Sequence, residues 1–205
     1  MRDVEALIVD LDGVIRHWDY GHFIETAESF GLRAEELSAI AFEKELLDAG
    51  MTGAMTFEAW AVLIGERIAA KHGCNAAAVT QAFKDLRWSI DGDVVALLRE
   101  ARAAGRVKLA LFSNASTRLE EDLASRDLHL EFDVVFNSAR LGVAKPDPEA
   151  FRMVARQLAV SPEVCLFVDD TLVNVEGARQ ANMNAEAYVD VRTLRSLLQR
   201  AGLLE

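Results

Sequence analysis

Two closely spaced pairs of aspartates are the residues of this sequence best suited to chemistry. Asp10 with Asp12 and Asp169 with Asp170 each follow a short apolar run. Carboxylates that pack together repel one another, and a hard divalent cation such as Mg²⁺ relieves that repulsion. One such carboxylate can be a nucleophile toward phosphorus, and a second can serve as general acid and base.

Two further segments could complete a site of this kind. Ser113 and Asn114 offer a hydroxyl and backbone N–H groups that can bind phosphoryl oxygens, and Lys145 offers a balancing positive charge. Each motif also has a simpler interpretation. Asp-Gly is a common turn pair, Ser-Asn often caps a helix, and a single lysine usually lies at the surface.

The elements that must position these residues alternate along most of the chain. We predict strands at 6–9, 107–112, 133–136, 164–168 and 186–189, with helices at 94–104, 117–125, 148–158, 173–181 and 192–200. This alternation predicts an α/β fold, a Rossmann-like parallel sheet of about five strands with helices on both faces. Ligands bind at the carboxyl ends of such strands, so the four motifs should meet at one edge.

A helical segment interrupts this pattern directly after the first strand. Apolar residues recur three and four apart from about residue 20 to 86, which predicts four helices at 20–30, 34–49, 56–72 and 75–86. We therefore expect a core domain formed by residues 1–16 and 88–205. Residues 17–87 would form an inserted cap.

Composition narrows the class of protein. With 205 residues and a net charge of −11, the chain is expected to be a globular protein that does not bind nucleic acid. The apolar run at the N-terminus spans only residues 6–9, too short for a signal peptide, and no stretch reaches the ~18 apolar residues of a membrane span. We expect a cytoplasmic protein without membrane contact. Monomer and homodimer both stay open, because the sequence does not separate an exposed cap face from a dimer face.

The order of the four motifs resembles that of the haloacid dehalogenase-like hydrolases across nearly the whole chain. The motifs are Asp10-Leu11-Asp12-Gly13-Val14, Ser113-Asn114, Lys145-Pro146 and Asp169-Asp170. The inserted helices are similar to the small helical, C1-type cap of that superfamily. The resemblance implies Mg²⁺-dependent hydrolysis of a small phosphorylated metabolite, such as a sugar phosphate, through an aspartyl phosphate.

The resemblance also implies roles for the four aspartates. Asp10 would attack phosphorus, and Asp12 would protonate the leaving oxygen and then activate water. The Asp10 carboxylate, the Asp12 backbone carbonyl and the Asp170 carboxylate would hold Mg²⁺. Asp169 would act from behind these ligands by orienting metal-bound water.

The remaining roles fall on the other two motifs and on the cap. Ser113 and the Asn114 backbone would bind the phosphoryl oxygens, and Lys145 would neutralise Asp10 and the phosphoryl charge. Trp18 and His22 follow the first motif and could contact the leaving group of the substrate.

One position departs from the pattern of many relatives. Asn174 stands four residues after the expected metal-binding Asp170, where many relatives carry a further acid. Its amide could hydrogen-bond to metal-bound water or to Lys145. The exchange is similar to the pattern of the sugar-phosphatase-like branch.

Three alternatives to a phosphatase remain open from sequence. A phosphomutase of the same family shares all four motifs and would require a bisphosphate activator. A 2-haloacid dehalogenase is disfavoured, because such relatives use no metal and lack the acid that stands here as Asp12. A non-catalytic protein that binds a phosphorylated metabolite would retain the fold without turnover.

Overall fold

A parallel sheet forms the centre of the molecule, and its edge carries the predicted motifs. The computed structural model describes residues 4–105 and 107–205; residues 1–3, where the first predicted core segment begins, lie outside this part. The strands are β1 (Ala6–Val9), β2 (Arg16–Trp18), β3 (Trp88–Ile90), β4 (Lys108–Ser113), β5 (Val134–Asn137), β6 (Cys165–Asp169) and β7 (Asn184–Ala187). Five of them pair in parallel in the order β5-β4-β1-β6-β7. The predicted α/β fold class is confirmed.

Helices cover both faces of the sheet and form the inserted segment. They are α1 (Tyr20–Ser29), α2 (Ala34–Ala41), α3 (Lys44–Met51), α4 (Phe57–His72), α5 (Ala76–Lys84), α6 (Gly92–Ala103), α7 (Leu119–Ala124), α8 (Ser138–Leu141), α9 (Pro148–Leu158), α10 (Leu172–Gln180) and α11 (Val191–Arg200). Single 3₁₀ turns lie at Leu128–Glu131 and Pro162–Val164. None of the helices in the described ranges combines the length and apolar character needed to cross a membrane.

The central strand β1 is buried on both faces, which explains its continuous apolar run. Leu7 and Val9 point into one cluster together with side chains of α6 and α11. Ala6 and Ile8 point into a second cluster with α9 and α10. Because successive residues of a strand face opposite sides, a strand covered by helices on both sides must be apolar throughout.

The inserted segment has five helices where the sequence predicted four. The predicted helix at 34–49 is divided into α2 and α3 at Phe42 and Glu43, and Glu43 has an extended backbone (φ −51°, ψ 134°). The Ala41 carbonyl at the end of α2 accepts a hydrogen bond from the buried Trp60 indole Nε1 at 2.9 Å. This long-range bond satisfies a carbonyl that the break leaves without an intrahelical partner.

A two-stranded antiparallel ribbon carries the chain into and out of these helices. β2 pairs with β3, with Trp18 opposite Trp88. Three-residue strands are too short to give a periodic pattern, so the sequence did not predict them. The expected boundaries of the cap fall within this ribbon, and the division into two domains stays a prediction.

Hydrogen bonds connect the inserted helices to the part of the chain that forms the sheet. The Phe57 backbone N–H, at the start of α4, donates to the Thr117 hydroxyl at 3.0 Å. The Arg118 guanidinium donates to the Lys84 carbonyl at the end of α5 at 2.7 Å. These contacts enclose a space between the inserted helices and the edge of the sheet.

Candidate active site

Three of the four predicted site aspartates meet at the carboxyl edge of the sheet. Asp10 directly follows β1, Asp169 ends β6, and Asp170 comes next. Each of the three contributes a carboxylate oxygen, and these oxygens lie within 4.8 Å of one another. Asp10 and Asp169 are buried, whereas Asp170 is exposed. An all-oxygen cluster of this kind can bind a divalent cation.

Lys145 lies between two of these carboxylates. Its Nζ donates to Asp10 Oδ1 at 2.7 Å, to Asp169 Oδ2 at 2.6 Å and to the Phe112 carbonyl at 3.0 Å. Burial alone would lower the pKa of the Lys145 ammonium, but the two adjacent carboxylates outweigh burial and raise it. The lysine is therefore a fixed positive charge with all three of its donors used.

The Asp10 carboxyl has a strongly shifted pKa. Burial raises the pKa of Asp10 to about 7, against the lowering effect of Lys145, and the charges of Asp169 and Asp12 raise it further. A divalent cation among these oxygens would favour the ionised form, which a nucleophilic carboxylate requires. The donor set therefore fits Mg²⁺.

Two glycines allow the loops of this site to approach one another. Gly13 has a φ of +80°, and a Cβ at this position would lie 2.0 Å from Asp170 Oδ2. Gly177, on α10, faces the loop after Lys145, where a Cβ would lie 2.1 Å from the Pro146 carbonyl oxygen. A side chain at position 13 would displace the Asp170 carboxylate, and one at position 177 would displace the loop that follows Lys145.

Asn114 and Ser113 behave differently although they are adjacent. The Asn114 side chain accepts from the Lys145 backbone N–H at 2.8 Å and donates to the Lys145 carbonyl at 2.7 Å. This amide therefore positions the lysine, and only the Asn114 backbone remains for a substrate. The Ser113 hydroxyl is buried without a hydrogen-bond partner among the described residues. A buried hydroxyl of this kind indicates that an atom of a ligand forms the missing hydrogen bond.

Asn174 contacts Asp169 rather than Lys145. Its Nδ2 lies 3.1 Å from both Asp169 oxygens, and the Thr171 backbone N–H donates to Asp169 Oδ1 at 2.8 Å. The Asp169 carboxylate is thus held by an amide, a backbone N–H and the Lys145 ammonium. Such a carboxylate is fixed in orientation.

The Asp12 carboxylate is not one of the clustered groups and is held by Arg16, which the sequence analysis missed. Arg16 Nε and one terminal nitrogen donate to the two Asp12 oxygens at 2.7 and 2.8 Å, and Trp18 Nε1 donates to Asp12 Oδ1 at 2.8 Å. The guanidinium also reaches Asp122 at 3.2 Å and stacks on Trp18, 4.7 Å from the ring centroid. An arginine four residues after Asp12 was the available signal.

We expect Arg16→Lys to lower kcat for p-nitrophenyl phosphate about tenfold with little change in KM. Lysine keeps the charge but cannot form the two-point contact that orients Asp12. Steady-state kinetics measure the effect. Arg99→Lys is the matched control, because Arg99 makes a similar two-point contact with Glu131 at the surface. An equal loss of kcat in both variants would contradict a positioning role for Arg16.

A cavity of about 700 Å³ lies between the inserted helices and the sheet edge. Asp12, Arg16, Trp18 and Asn114 are among its lining residues, and contact of Trp18 with a leaving group stays a prediction. His22 is not among its lining residues. The His22 Nδ1 instead accepts a hydrogen bond from the Arg87 backbone N–H at 3.3 Å, where the chain leaves the inserted helices.

Comparison of the chain with models of protein families tests the family membership that the motifs suggest. The model of the haloacid dehalogenase-like hydrolases matches residues 4–182. This chain belongs to the haloacid dehalogenase-like hydrolases. The match includes all four motifs and the inserted helices. The sugar-phosphatase-like branch within the family stays a prediction.

Curated proteins and a solved structure of this family extend the comparison. Phosphatase MT3486 of Mycobacterium tuberculosis is 43% identical over 90 residues, 43% of this chain and 41% of that protein. Sesquiterpene phosphatase astK of Aspergillus oryzae is 32% identical over 116 residues, 55% of this chain and 58% of that protein. A HAD family enzyme of Bacteroides thetaiotaomicron, in complex with magnesium and inorganic phosphate, has a TM-score of 0.72 and 18% identity, covering 91% of this chain and 94% of that one. The chain spans about two fifths of the length of several curated relatives that it matches.

Proposed function

We propose that this protein is a Mg²⁺-dependent phosphatase that hydrolyses a small phosphate monoester through an aspartyl phosphate on Asp10. The observation that carries the proposal is the buried Asp10–Lys145–Asp169 ion-pair cluster. It lies at the strand ends, where Ser113, the last residue of β4, brings a buried hydroxyl that has no partner within the described part of the chain. A nucleophile, a fixed cation and a donor for a phosphoryl oxygen are the groups that this reaction needs.

The residues divide the reaction into two steps. An Asp10 oxygen attacks phosphorus while the bond from phosphorus to the leaving oxygen breaks, and Asp12 gives that oxygen a proton. Asp12 then takes a proton from water as the water oxygen attacks the phosphoryl group, which releases inorganic phosphate and restores Asp10. Ser113 and the Asn114 backbone would hold the phosphoryl oxygens throughout, and the positive charge of Lys145 would offset the charge of Asp10 and of the phosphoryl group.

Asp10, Asp170 and the Asp12 backbone carbonyl would hold Mg²⁺, which supplies positive charge against the transferring phosphoryl group. Asp169 would hold Lys145 and complete the acidic surroundings of the ion. The name of the Mycobacterium relative and the magnesium and phosphate of the Bacteroides enzyme support this assignment. The substrate would be a small phosphorylated metabolite, and the cytoplasmic location stays a prediction.

We expect hydrolysis of p-nitrophenyl phosphate that stops in EDTA and returns when Mg²⁺ is added. Asp170→Asn should raise the Mg²⁺ concentration needed for half-maximal rate at least about tenfold, because an amide binds the ion less strongly than a carboxylate. Asp93→Asn is the control, since Asp93 is an exposed acid on α6 outside the cluster. Equal Mg²⁺ requirements in the two variants would contradict the assigned site.

Other outcomes would favour the alternatives. Rapid phosphoryl transfer to a second sugar position, dependent on a bisphosphate activator, would indicate a mutase. Chloride release from 2-haloacids in the presence of EDTA would indicate a dehalogenase. Binding of inorganic phosphate with Mg²⁺, without release from any ester, would indicate a binding protein.

A further inference from the structure

Aromatic side chains form a continuous wall along the cavity that opens onto Asp12. Six lining residues belong to it: Tyr20, Phe23, Phe42, Phe57, Trp60 and Phe83. Neighbouring rings along this wall have centroids 6.1 to 6.5 Å apart. The wall therefore presents a connected hydrocarbon surface rather than isolated rings.

Of the three tryptophans that line this cavity, Trp18 and Trp60 have indole N–H groups that are already used. Trp60 Nε1 donates to the Ala41 carbonyl at 2.9 Å, and Trp18 Nε1 donates to Asp12 at 2.8 Å. What these two rings offer a ligand is their apolar surface. Among the six rings of the wall only Tyr20 carries a hydroxyl, so most hydroxyls of a sugar in this space would lie unpaired against aromatic surface, and each unpaired hydroxyl weakens binding.

The charged groups at the inner end of the cavity bind one another. Arg16 contacts Asp12 and Asp122, and Arg118 contacts Asp122 at 3.1 Å. Two cations and two anions balance, so this cluster carries no excess charge with which to select a charged leaving group. The other charged lining residues are two acids and two bases, which also balance: Asp19, Glu35, Lys84 and Arg87. Lys84 is half-buried and the other three are exposed to solvent.

Part of the aromatic wall is exposed although it lies within a folded segment. Tyr20 is 62% exposed and Phe42 43%, and Trp18, which lines the cavity outside the wall, is 49% exposed. The inserted helices have their own core around Trp60 and Phe83, so these three rings are not needed to close it. Contiguous exposed apolar surface that lines a cavity indicates a ligand that covers it.

We infer that the leaving group is a bulky, uncharged and largely hydrocarbon alcohol, so the substrate is a phosphate monoester of such an alcohol. The inference rests on the proposed phosphatase function. The phosphoryl group would lie among Asp10, Ser113 and Lys145, and the hydrocarbon would extend along the aromatic wall. A cavity of about 700 Å³ is far larger than a two- or three-carbon leaving group requires.

A series of alkyl phosphates tests whether the apolar area of the leaving group, and not its chemical reactivity, determines the rate. Ethyl, hexyl and decyl phosphate have the same reacting bond and differ in apolar area alone. We expect kcat/KM, from phosphate release below the micellar concentration, to rise at least about 100-fold from ethyl to decyl. Glucose 6-phosphate should be no better than ethyl phosphate. A flat series, or a preference for the sugar ester, would overturn the inference.

Single substitutions test whether the aromatic wall causes the preference for the longer alkyl phosphate. Phe42→Ser should reduce the decyl-to-ethyl ratio at least about tenfold. Tyr20→Ser should reduce it in the same direction and replaces a more exposed ring, in case Phe42→Ser does not fold. Leu130→Ser, at an equally exposed apolar residue outside the cavity, is the matched control and should keep the wild-type ratio. Equal ratios in all three variants would overturn the assignment to this wall.

Failure of the proposed function is distinguishable from failure of this inference. If p-nitrophenyl phosphate is hydrolysed and the alkyl series is flat, the leaving-group inference alone fails. If no ester is hydrolysed, the phosphatase assignment fails, and the inference is decided by binding. Decyl phosphate must then raise the Tm in the presence of Mg²⁺ while ethyl phosphate at the same concentration does not; equal shifts would overturn it.

Discussion

Replacing Asp10 with asparagine is expected to lower turnover of p-nitrophenyl phosphate on the order of 10⁴-fold. The amide keeps the size of the carboxyl group but removes the charged oxygen that would attack phosphorus. It also removes the negative charge that Lys145 contacts at 2.7 Å. Release of p-nitrophenol in multiple-turnover reactions with Mg²⁺ measures the effect.

The variant Asp12→Asn is the informative comparison, because the two acids have different tasks. The p-nitrophenolate group leaves readily without a proton, so this variant should still transfer one phosphoryl group to Asp10. It should then stop, because asparagine cannot activate the water of the second step. We expect one equivalent of p-nitrophenol from Asp12→Asn and none from Asp10→Asn, with the added phosphoryl mass on the peptide that contains Asp10.

Two results would contradict this division of roles. Multiple turnover by Asp10→Asn would exclude Asp10 as the nucleophile. A phosphoryl group on another residue of Asp12→Asn would assign the nucleophile elsewhere. Circular dichroism of both variants excludes the trivial case of unfolding, since the sheet and helices give a strong native signal.

The α/β core could be predicted from sequence because its signals are local and strong. β1 is apolar at every position, since helices cover both of its faces, and the predicted helix at 148–158 has the observed bounds of α9. The last strand was placed two residues late, at 186–189 instead of Asn184–Ala187, because Tyr188 and Val189 extend the apolar run. Val189 is in fact 72% exposed, and pairing with β6 decides where the strand lies.

The features that the sequence did not reveal depend on contacts distant in the chain. Arg16 reaches Asp122 across 106 positions, and Trp60 caps α2 across 19. The aromatic wall is a similar case, because its rings come from several helices whose spacing only the packed structure gives. The family resemblance implied a small phosphorylated metabolite such as a sugar phosphate, but motifs of the core do not report on the lining of a cavity formed by the inserted helices.

The carboxylate cluster and the cavity would have different tasks: the cluster binds the phosphoryl group, and the cavity binds the leaving group. The cluster is built from strand ends and glycine-dependent loops of the core, whereas the surface that would recognise the leaving group comes almost entirely from the inserted helices. Binding of phosphate and selection of the alcohol can therefore change independently, since they lie on different elements. Lys145 belongs wholly to the first part, and its removal should affect stability as well as rate.

We expect Lys145→Met to destabilise the fold by about 3–5 kcal/mol in EDTA and to lower turnover at least about 100-fold. The methionine fills the space but leaves Asp10 and Asp169 buried next to each other without a cation. Urea unfolding in EDTA and in Mg²⁺ measures the change. Lys71→Met, at an exposed lysine on α4, is the control and should change stability by less than about 0.5 kcal/mol.

The loss of stability in Lys145→Met should depend on Mg²⁺ and on pH. Mg²⁺ should restore part of the stability of Lys145→Met, because a divalent cation replaces the missing positive charge. Without metal, the folded pKa of Asp10 already lies above the ordinary carboxyl value, and loss of Lys145 raises it further. A carboxyl whose folded pKa exceeds its unfolded pKa costs stability as pH rises through that interval. In the wild type this cost accumulates up to about pH 7, where Asp10 ionises, whereas in the variant it continues to higher pH. The deficit of the variant in EDTA should therefore grow above about pH 7, and a deficit independent of both pH and Mg²⁺ would show that lost packing, not charge, is its cause.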